Sequence, residues 1–378
     1  MAERDIIVVG GSAGAVPAML ELVRSLPAEL PAAILLVVHT SPKSPGVLPT
    51  LLDRAAAMPV AHALNGQRLE RGRVYVAPPD HHLLVNDGTI ELTRGPRENG
   101  FRPAVDPLFR TAARAAGPRV IGVILSGGLD DGTEGLIQIK RRGGIAIVQD
   151  PSEAIMSAMP TSAIQNANVD HVVKIADMPA LLMRLSQQQV SEEANLSVNN
   201  AGEGTGDVAE AGDAGLRSGA MPGTPSPFVC PECGGALWEL HEGALLRYRC
   251  HVGHIYTSDS LLAEQTERVE EAMWTALRTL EEHAALHHRL ASRSRNAQLE
   301  GIAQGHERQA ARAEARATMI RGVLTGEPAV RVKLAAPLPG HNDPASRKRA
   351  GGNGGNGGSR VATRSGASRA RNKKGNRD

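Results

Sequence analysis

Three apolar runs in this sequence end on residues that together could perform acyl transfer. In "IIVVGGSAGA", Gly10, Ser12 and Gly14 have the spacing G-x-S-x-G. A serine on a tight strand-to-helix turn is lifted clear of the sheet. It also lies at a helix start, where N–H groups favour negative charge. A dinucleotide cradle would need glycine where Ser12 stands and an acid at the end of the next strand, but Val38 leads into His39. A Walker loop would need Gly-Lys-Ser/Thr, which this turn lacks. The plain alternative is that Ser12 caps the helix beginning near Val16. A serine nucleophile needs a base, and the base needs an orienting carboxylate. "AAILLVVH" ends on His39, and "VIGVILSGGLDDGTEGL" carries Asp130 and Asp131 past a third strand. Parallel strands bring such ends to one edge, where ligands gather. Each acid alone could equally be a turn or cap residue.

A second constellation lies near the C-terminus. Cys230, Cys233, Cys250 and His254 follow the pattern C-x2-C, sixteen residues, C-x3-H. Two such pairs suit tetrahedral zinc, and four protein ligands close the coordination sphere, which makes the site structural. His251 competes as fourth ligand but adjoins Cys250. A metal-free knuckle and a redox pair are the alternatives. All three cysteines of the chain lie here, too few for a disulfide framework.

The elements that must position these residues follow from hydropathy. Apolar runs recur at Ile6–Val9, Ile34–Val38, Val74–Ala77, Val120–Leu125, Ile145–Val148 and Val172–Ile175. Helical patterns fall at Val16–Leu26, Pro107–Ala116 and Gly135–Arg142. Successive apolar residues mark strands covered on both faces, so residues 1–186 are expected to form an α/β domain. Its fold class is a doubly wound, mostly parallel sheet with helices on both faces. Residues 187–227 are rich in Gly, Asn and acids and read as a flexible linker. Residues 228–260 form the zinc-ribbon-like module. Residues 261–326 read as a helical segment, with Leu262, Val269 and Ala276, and also Met273, Leu280 and His287, at seven-residue spacing. That pattern predicts a hairpin or short coiled coil, or a helix packed on the module. Residues 327–378 read as a disordered basic tail, with ten Lys or Arg and one acid from Ser346 onward.

Aromatics are only 2% of the chain, so aliphatic residues and alanine must build the core. The tail has no aromatic residue for base stacking, which argues against specific nucleic-acid binding. The start Met-Ala-Glu-Arg-Asp does not read as a signal peptide, and no run is long enough to span a membrane. A cytoplasmic protein is expected.

From Asp5 to Ser186 the sequence resembles the catalytic domain of the CheB protein-glutamate methylesterases of chemotaxis. The resemblance rests on "GGSAGA", His39, "VYVAPPDHHLLV", "FRPAVDPLF", "LSGGLDDGTEG" and "QDPSEAIMSAMPTSAI", in the family's order. It implies Ser12 as nucleophile, His39 as base and Asp131, not Asp130, as acid. Ala13 and Gly128 are oxyanion candidates. His82 matches a family histidine whose role, substrate contact or structure, stays open. Where the family commonly has methionine before the acid, this chain has Gly127-Gly128-Leu129, and with the catalytic strand starting at Asp5 the family's receiver domain is expected to be absent. The implied reaction is hydrolysis of glutamate methyl esters on a methylated chemoreceptor-like protein, without catalytic cofactor. Other chemotaxis or signalling proteins are possible partners. The alternatives are a weakly catalytic or non-catalytic signalling module, and an esterase or amidase with another substrate, including receptor glutamine deamidation.

Overall fold

The computed structural model describes residues 2–190, 223–242 and 245–326. Most of the expected linker and all of the expected basic tail lie outside the described residues.

The α/β unit runs in chain order through β1 (Ala2–Glu3), β2 (Ile6–Gly11), α1 (Ala15–Ser25), β3 (Ala33–Val38), α2 (Leu48–Asp53), β4 (Val60–His62), β5 (Arg73–Val76), β6 (His82–Asn86) and β7 (Thr89–Thr93). It continues through α3 (Val105–Ala116), β8 (Val120–Ile124), α4 (Thr133–Arg141), β9 (Ile145–Gln149), α5 (Ala158–Asn166), β10 (His171–Val173), α6 (Met178–Ser186) and β11 (Gln189–Val190). Seven strands form one sheet, ordered β10-β9-β8-β2-β3-β5-β4. Every pairing in it is parallel. β2, β3 and β8 bury all their residues, as strands do when helices cover both faces. Ile7, Val9, Ile34 and Leu36 pack toward Met19 of α1 and Leu182 of α6. Ile6, Val8, Leu35 and Val37 pack toward Phe109 of α3, Leu136 of α4 and Met159 of α5. The unit closes with β1 paired antiparallel to β11, past Ser186.

The C-terminal module is a four-stranded antiparallel sheet of β12 (Thr224–Val229), β13 (Ala236–Glu242), β14 (Leu245–Cys250) and β15 (Ile255–Thr257). Two long helices follow, α7 (Ser258–Asn296) and α8 (Glu300–Thr325). Two expectations need correction. β12 begins inside the segment read as linker, because Thr224 and Pro225 pair with Glu239 and Trp238. One of the two heptads is also off the seam: Leu262 is 64% and Val269 59% exposed. The other holds, since Met273, Leu280 and His287 are half-buried beside the buried Leu277, Ala284 and Ala291, and His287 Nδ1 lies 3.1 Å from His306 Nδ1 of α8, the helix in which Ala303, Ala310 and Ala317 are buried. Alanines on both helices let the backbones approach closely, so small residues carry a seam that a search for large apolar ones overlooks.

The module docks against the α/β unit. Asn99 N–H donates to Ile255 O at 2.8 Å, and Ile255 N–H to Arg97 O at 3.3 Å, so β15 pairs with the segment before α3. Arg247 of β14 is fully buried, 3.6 Å from Glu98 and 3.5 Å from Glu134. Arg110 completes this set at 2.7 and 3.0 Å from the same two carboxylates. Removing one partner from a buried set like this costs about 3–5 kcal/mol, since a charge is left uncompensated.

Candidate active site

Sheet register brings Ser12 and His39 together. Gly10 pairs with Val37 and Gly11 with Val38, so the next residues of both strands are neighbours across the ladder. His39 N–H continues it, donating to Gly11 O at 3.3 Å. On the other side Leu125 N–H bonds Gly10 O, and Ser12 N–H bonds Ser126 O, each at 2.9 Å. The turn after β8 is thereby tied to the turn after β2. Glycine is required at two positions here. A Cβ on Gly10 would run into Val105 of α3, and Gly14 has φ +79°, in the left-handed region that side chains disfavour. Gly14 is also the N-cap of α1 and no side chain caps that helix, so Ser12 is not its cap.

Ser12 Oγ lies 3.0 Å from His39 Nδ1, and His39 Nε2 lies 2.6 Å from Asp131 Oδ2. With the Nε2 proton directed at Asp131, Nδ1 presents its lone pair to the Ser12 hydroxyl. Phe101 stacks on the imidazole, centroids 3.7 Å apart and planes at 9°, and fixes the ring's plane. Asp131 is buried and saturated with donors. Its Oδ2 also accepts from Val105 N–H at 2.6 Å, and its Oδ1 from Asn99 Nδ2 at 3.0 Å and Asp106 N–H at 3.2 Å. Burial alone would raise its pKa. The His39 hydrogen bond and charge, with the Val105 and Asn99 donors, outweigh burial and hold it at about 2. Three of the residues singled out in the sequence thus form one connected chain, Ser12–His39–Asp131.

The neighbouring acids behave differently. Asp130 faces the C-terminal module, where Thr257 Oγ1 donates to it at 2.8 Å. Burial pushes its pKa up to about 6, despite that hydrogen bond. The charged form is disfavoured in the fold, so this group's contribution to stability falls as pH rises from about 4 to about 6, and stays reduced above. Asp130→Asn keeps the acceptor and removes the charge. It is expected to raise stability at pH 8 by about 1–3 kcal/mol and leave it nearly unchanged at pH 4, as urea unfolding at the two pH values would read. Asp106, also buried, is pushed well above the ordinary carboxylate range by burial and then by Asp131 and Glu134.

Of the remaining candidates, Ala13 follows Ser12 in the turn after β2 and lines the cavity with it, and Gly128 lies in the turn after β8. A Cβ on adjacent Gly127 would run into Met159 and stand 3.1 Å from Ser12 Cβ, whereas Gly128 faces open space. His82 does not line the cavity that opens beside Ser12 and His39. It is 3% exposed, its Nε2 lies 2.9 Å from Pro96 O and its Nδ1 accepts from Ala104 N–H at 3.3 Å. It fastens both ends of the segment that carries Asn99 and Phe101. Asn99, Phe101 and Asp106 were missed as site residues. Phe101 and Asp106 lie inside the quoted motif "FRPAVDPLF", but spacing alone gives neither a role. A cavity of about 590 Å³ opens beside Ser12 and His39, lined also by Val47, Leu51, Arg97 and Arg102.

In the C-terminal module the ligand atoms of Cys230, Cys233, Cys250 and His254 all lie within 4.8 Å of one another. Cys233 and Cys250 Sγ are 3.7 Å apart, and His254 Nδ1 is 3.6 and 3.4 Å from Cys230 and Cys250 Sγ. A zinc–sulfur distance of about 2.3 Å implies tetrahedral edges of about 3.8 Å, so the cluster fits that ion. Glu232 sits 3.1 Å from His254 Nε2, where an outer carboxylate orients a ligating imidazole. The competing His251 is exposed and outside the cluster.

A parallel α/β sheet presenting serine, histidine and aspartate in hydrogen-bonded series defines a serine-hydrolase-type site. The family described as CheB methylesterase matches residues 7–182. A provisionally named protein-glutamate methylesterase/protein-glutamine glutaminase of Leptospira interrogans is 38% identical over 189 residues, covering 50% of this chain and 98% of that protein. The chain belongs to the CheB methylesterase family. Proteins named protein-glutamate methylesterase/protein-glutamine glutaminase from Methanosarcina mazei and Pyrococcus abyssi are 35% and 36% identical, and the match spans 52% and 50% of their lengths. The crystal structure of the Thermotoga maritima CheB methylesterase catalytic domain is similar at 32% identity, TM-score 0.47, over 49% of this chain and 99% of that one. Among the described residues, no helix is long and apolar enough to cross a membrane.

Proposed function

We propose that the chain is a protein-glutamate methylesterase that hydrolyses glutamate methyl esters on a chemoreceptor-like protein in the cytoplasm. The observation that carries this is His39 bonded at once to Ser12 and Asp131 beside an open cavity. His39 Nδ1 takes the Ser12 proton as Oγ attacks the ester carbonyl. The Ala13 and Gly128 N–H groups receive the oxyanion, each such donor being worth about 3 kcal/mol. The proton passes from Nδ1 to the departing methoxide, methanol leaves, and His39 then activates water to free Ser12. Asp131 fixes the tautomer and stabilises the imidazolium. Exposed Val47 and Leu51 give the cavity an apolar wall suited to a methyl ester, while its Arg97 and Arg102 are paired with Glu232 and Asp80. The same acyl-enzyme could form from a glutamine amide with ammonia leaving, and the relatives' names pair both activities. The test offers the full chain a receptor fragment with methyl-labelled glutamates, and the same fragment with glutamines. Methanol release supports esterase action. Ammonia alone would point to the deamidase, and neither product would overturn the reading.

The Cys/His cluster is proposed to hold one structural zinc, with no role in the ester chemistry. Purified protein is expected to carry about one zinc per chain, and Cys230→Ser to lose it and unfold the module at lower temperature. A wild-type metal content near zero, unchanged by the substitution, would rule zinc out.

A further inference from the structure

The last hydrogen bonds to the catalytic acid come through a residue that the C-terminal module holds. Asn99 is 3% exposed. Its Nδ2 donates to Asp131 Oδ1 at 3.0 Å and to Asp106 Oδ2 at 3.2 Å. Its Oδ1 accepts from Thr257 N–H at 3.2 Å and from Ser260 Oγ at 3.0 Å. Two carboxylates on one side and two donors on the other leave the amide a single orientation. Thr257 and Ser260 are the capping box of α7, bonded to each other through Thr257 N to Ser260 Oγ and Ser260 N to Thr257 Oγ1, at 2.8 and 3.1 Å. Thr257 also reaches Asp130, next to the catalytic acid. Two residues beyond Asn99, Phe101 stacks on His39. The short segment 97–101 therefore touches both base and acid on one side, and is paired with β15 on the other.

We propose that Asn99 is a positioning residue for the Asp131 carboxylate and that the C-terminal module, through Thr257 and Ser260, sets it, so the module is a working part of the esterase site. This rests on the triad reading of the preceding section. Asp131 must aim one oxygen at His39 while the other is held. Without Asn99, Oδ1 keeps only the Asp106 N–H among the donors found here, and the carboxylate can turn. Misplacing a catalytic group by about 1 Å costs roughly a hundredfold in rate.

The test is a double-mutant cycle in the full chain. Asn99 has φ +52°, which glycine adopts without strain, so Asn99→Gly removes the amide while sparing the backbone. Ser260→Ala removes one donor to it. Two rates are read well below the unfolding temperature. One is labelling of Ser12 by a fluorophosphonate, in which an Oγ–P bond forms, fluoride leaves and His39 takes the proton. The other is methanol release from the methylated fragment. Asn99→Gly is expected to lower labelling and kcat by roughly 10- to 100-fold with KM within about twofold. Ser260→Ala should lower them by roughly threefold or more, and by nothing further once Asn99 is glycine, because it acts through Asn99. Wild-type rates in Asn99→Gly, or a Ser260→Ala loss that persists undiminished in the glycine background, would overturn the proposal. Labelling without methanol release would sink only the substrate assignment, with the cycle still decided by labelling. Labelling of wild type no faster than of Ser12→Ala would remove both.

Discussion

Ser12→Ala should abolish methanol release, lowering kcat by roughly five to six orders of magnitude, while the protein stays folded. The size follows from the site acting as a unit: without the Oγ, His39 and Asp131 have no nucleophile to activate, and only binding and oxyanion stabilisation are left. The fold should hardly notice. Ser12 caps no helix, since Gly14 occupies that position, and its side chain contributes one hydrogen bond, to His39, worth about 1 kcal/mol. A labelled-methanol assay alongside thermal unfolding separates the two effects. Equal methanol release from wild type and Ser12→Ala would place the nucleophile elsewhere. A collapse of stability would return Ser12 to a structural role.

What the sequence revealed of this site follows from where its information is stored. Ser12, His39 and Asp131 each terminate or closely follow a strand of a parallel sheet, and parallel register sends such residues to one rim whatever the loops do. The doubly wound sheet was legible for the same reason: β2, β3 and β8 are apolar on successive residues. Shorter elements were legible only through their turns. The β6–β7 hairpin turns on Asp87 and Gly88, both at positive φ, 44° and 72°, which is the Asp-Gly signal of a type I′ turn; it was there to be read and passed unnoticed. β4 has three residues, of which only Val60 is buried, and carries too little pattern to find. Of the two heptads along α7, Met273, Leu280 and His287 lie along the seam with α8 while Leu262 and Val269 face solvent, and the alanines that fill the seam carry too little apolar signal to choose between the two. Asn99 was beyond reach. Its partners Asp131, Thr257 and Ser260 are 32, 158 and 161 residues distant, and only the docked module brings them to its two sides.

Asp131→Asn carries the second large effect, and it should appear in rate and stability together. The carboxylate accepts four hydrogen bonds, from His39, Val105, Asn99 and Asp106. An amide has one acceptor oxygen. Whichever way it turns, its NH2 meets donors: His39 and Val105 on one side, Asn99 and Asp106 on the other. If the NH2 faces His39, the imidazole must present a lone pair there and carry its proton on Nδ1, the wrong tautomer to receive the Ser12 proton. A loss in kcat of roughly 10⁴-fold is expected. The stability effect has a definite pH window. A carboxyl held near 2 in the fold, below its ordinary value of 3.8, contributes stability that is fully present above about pH 4 and lost as pH falls toward 2, worth about 2 kcal/mol. Asp131→Asn should therefore unfold at lower urea than wild type at pH 7, and the gap should narrow between pH 4 and pH 2. A variant with wild-type turnover would show that His39 needs no carboxylate to hold its tautomer. One equally destabilised at every pH would show that the lost stability comes from packing and not from the ionised carboxylate.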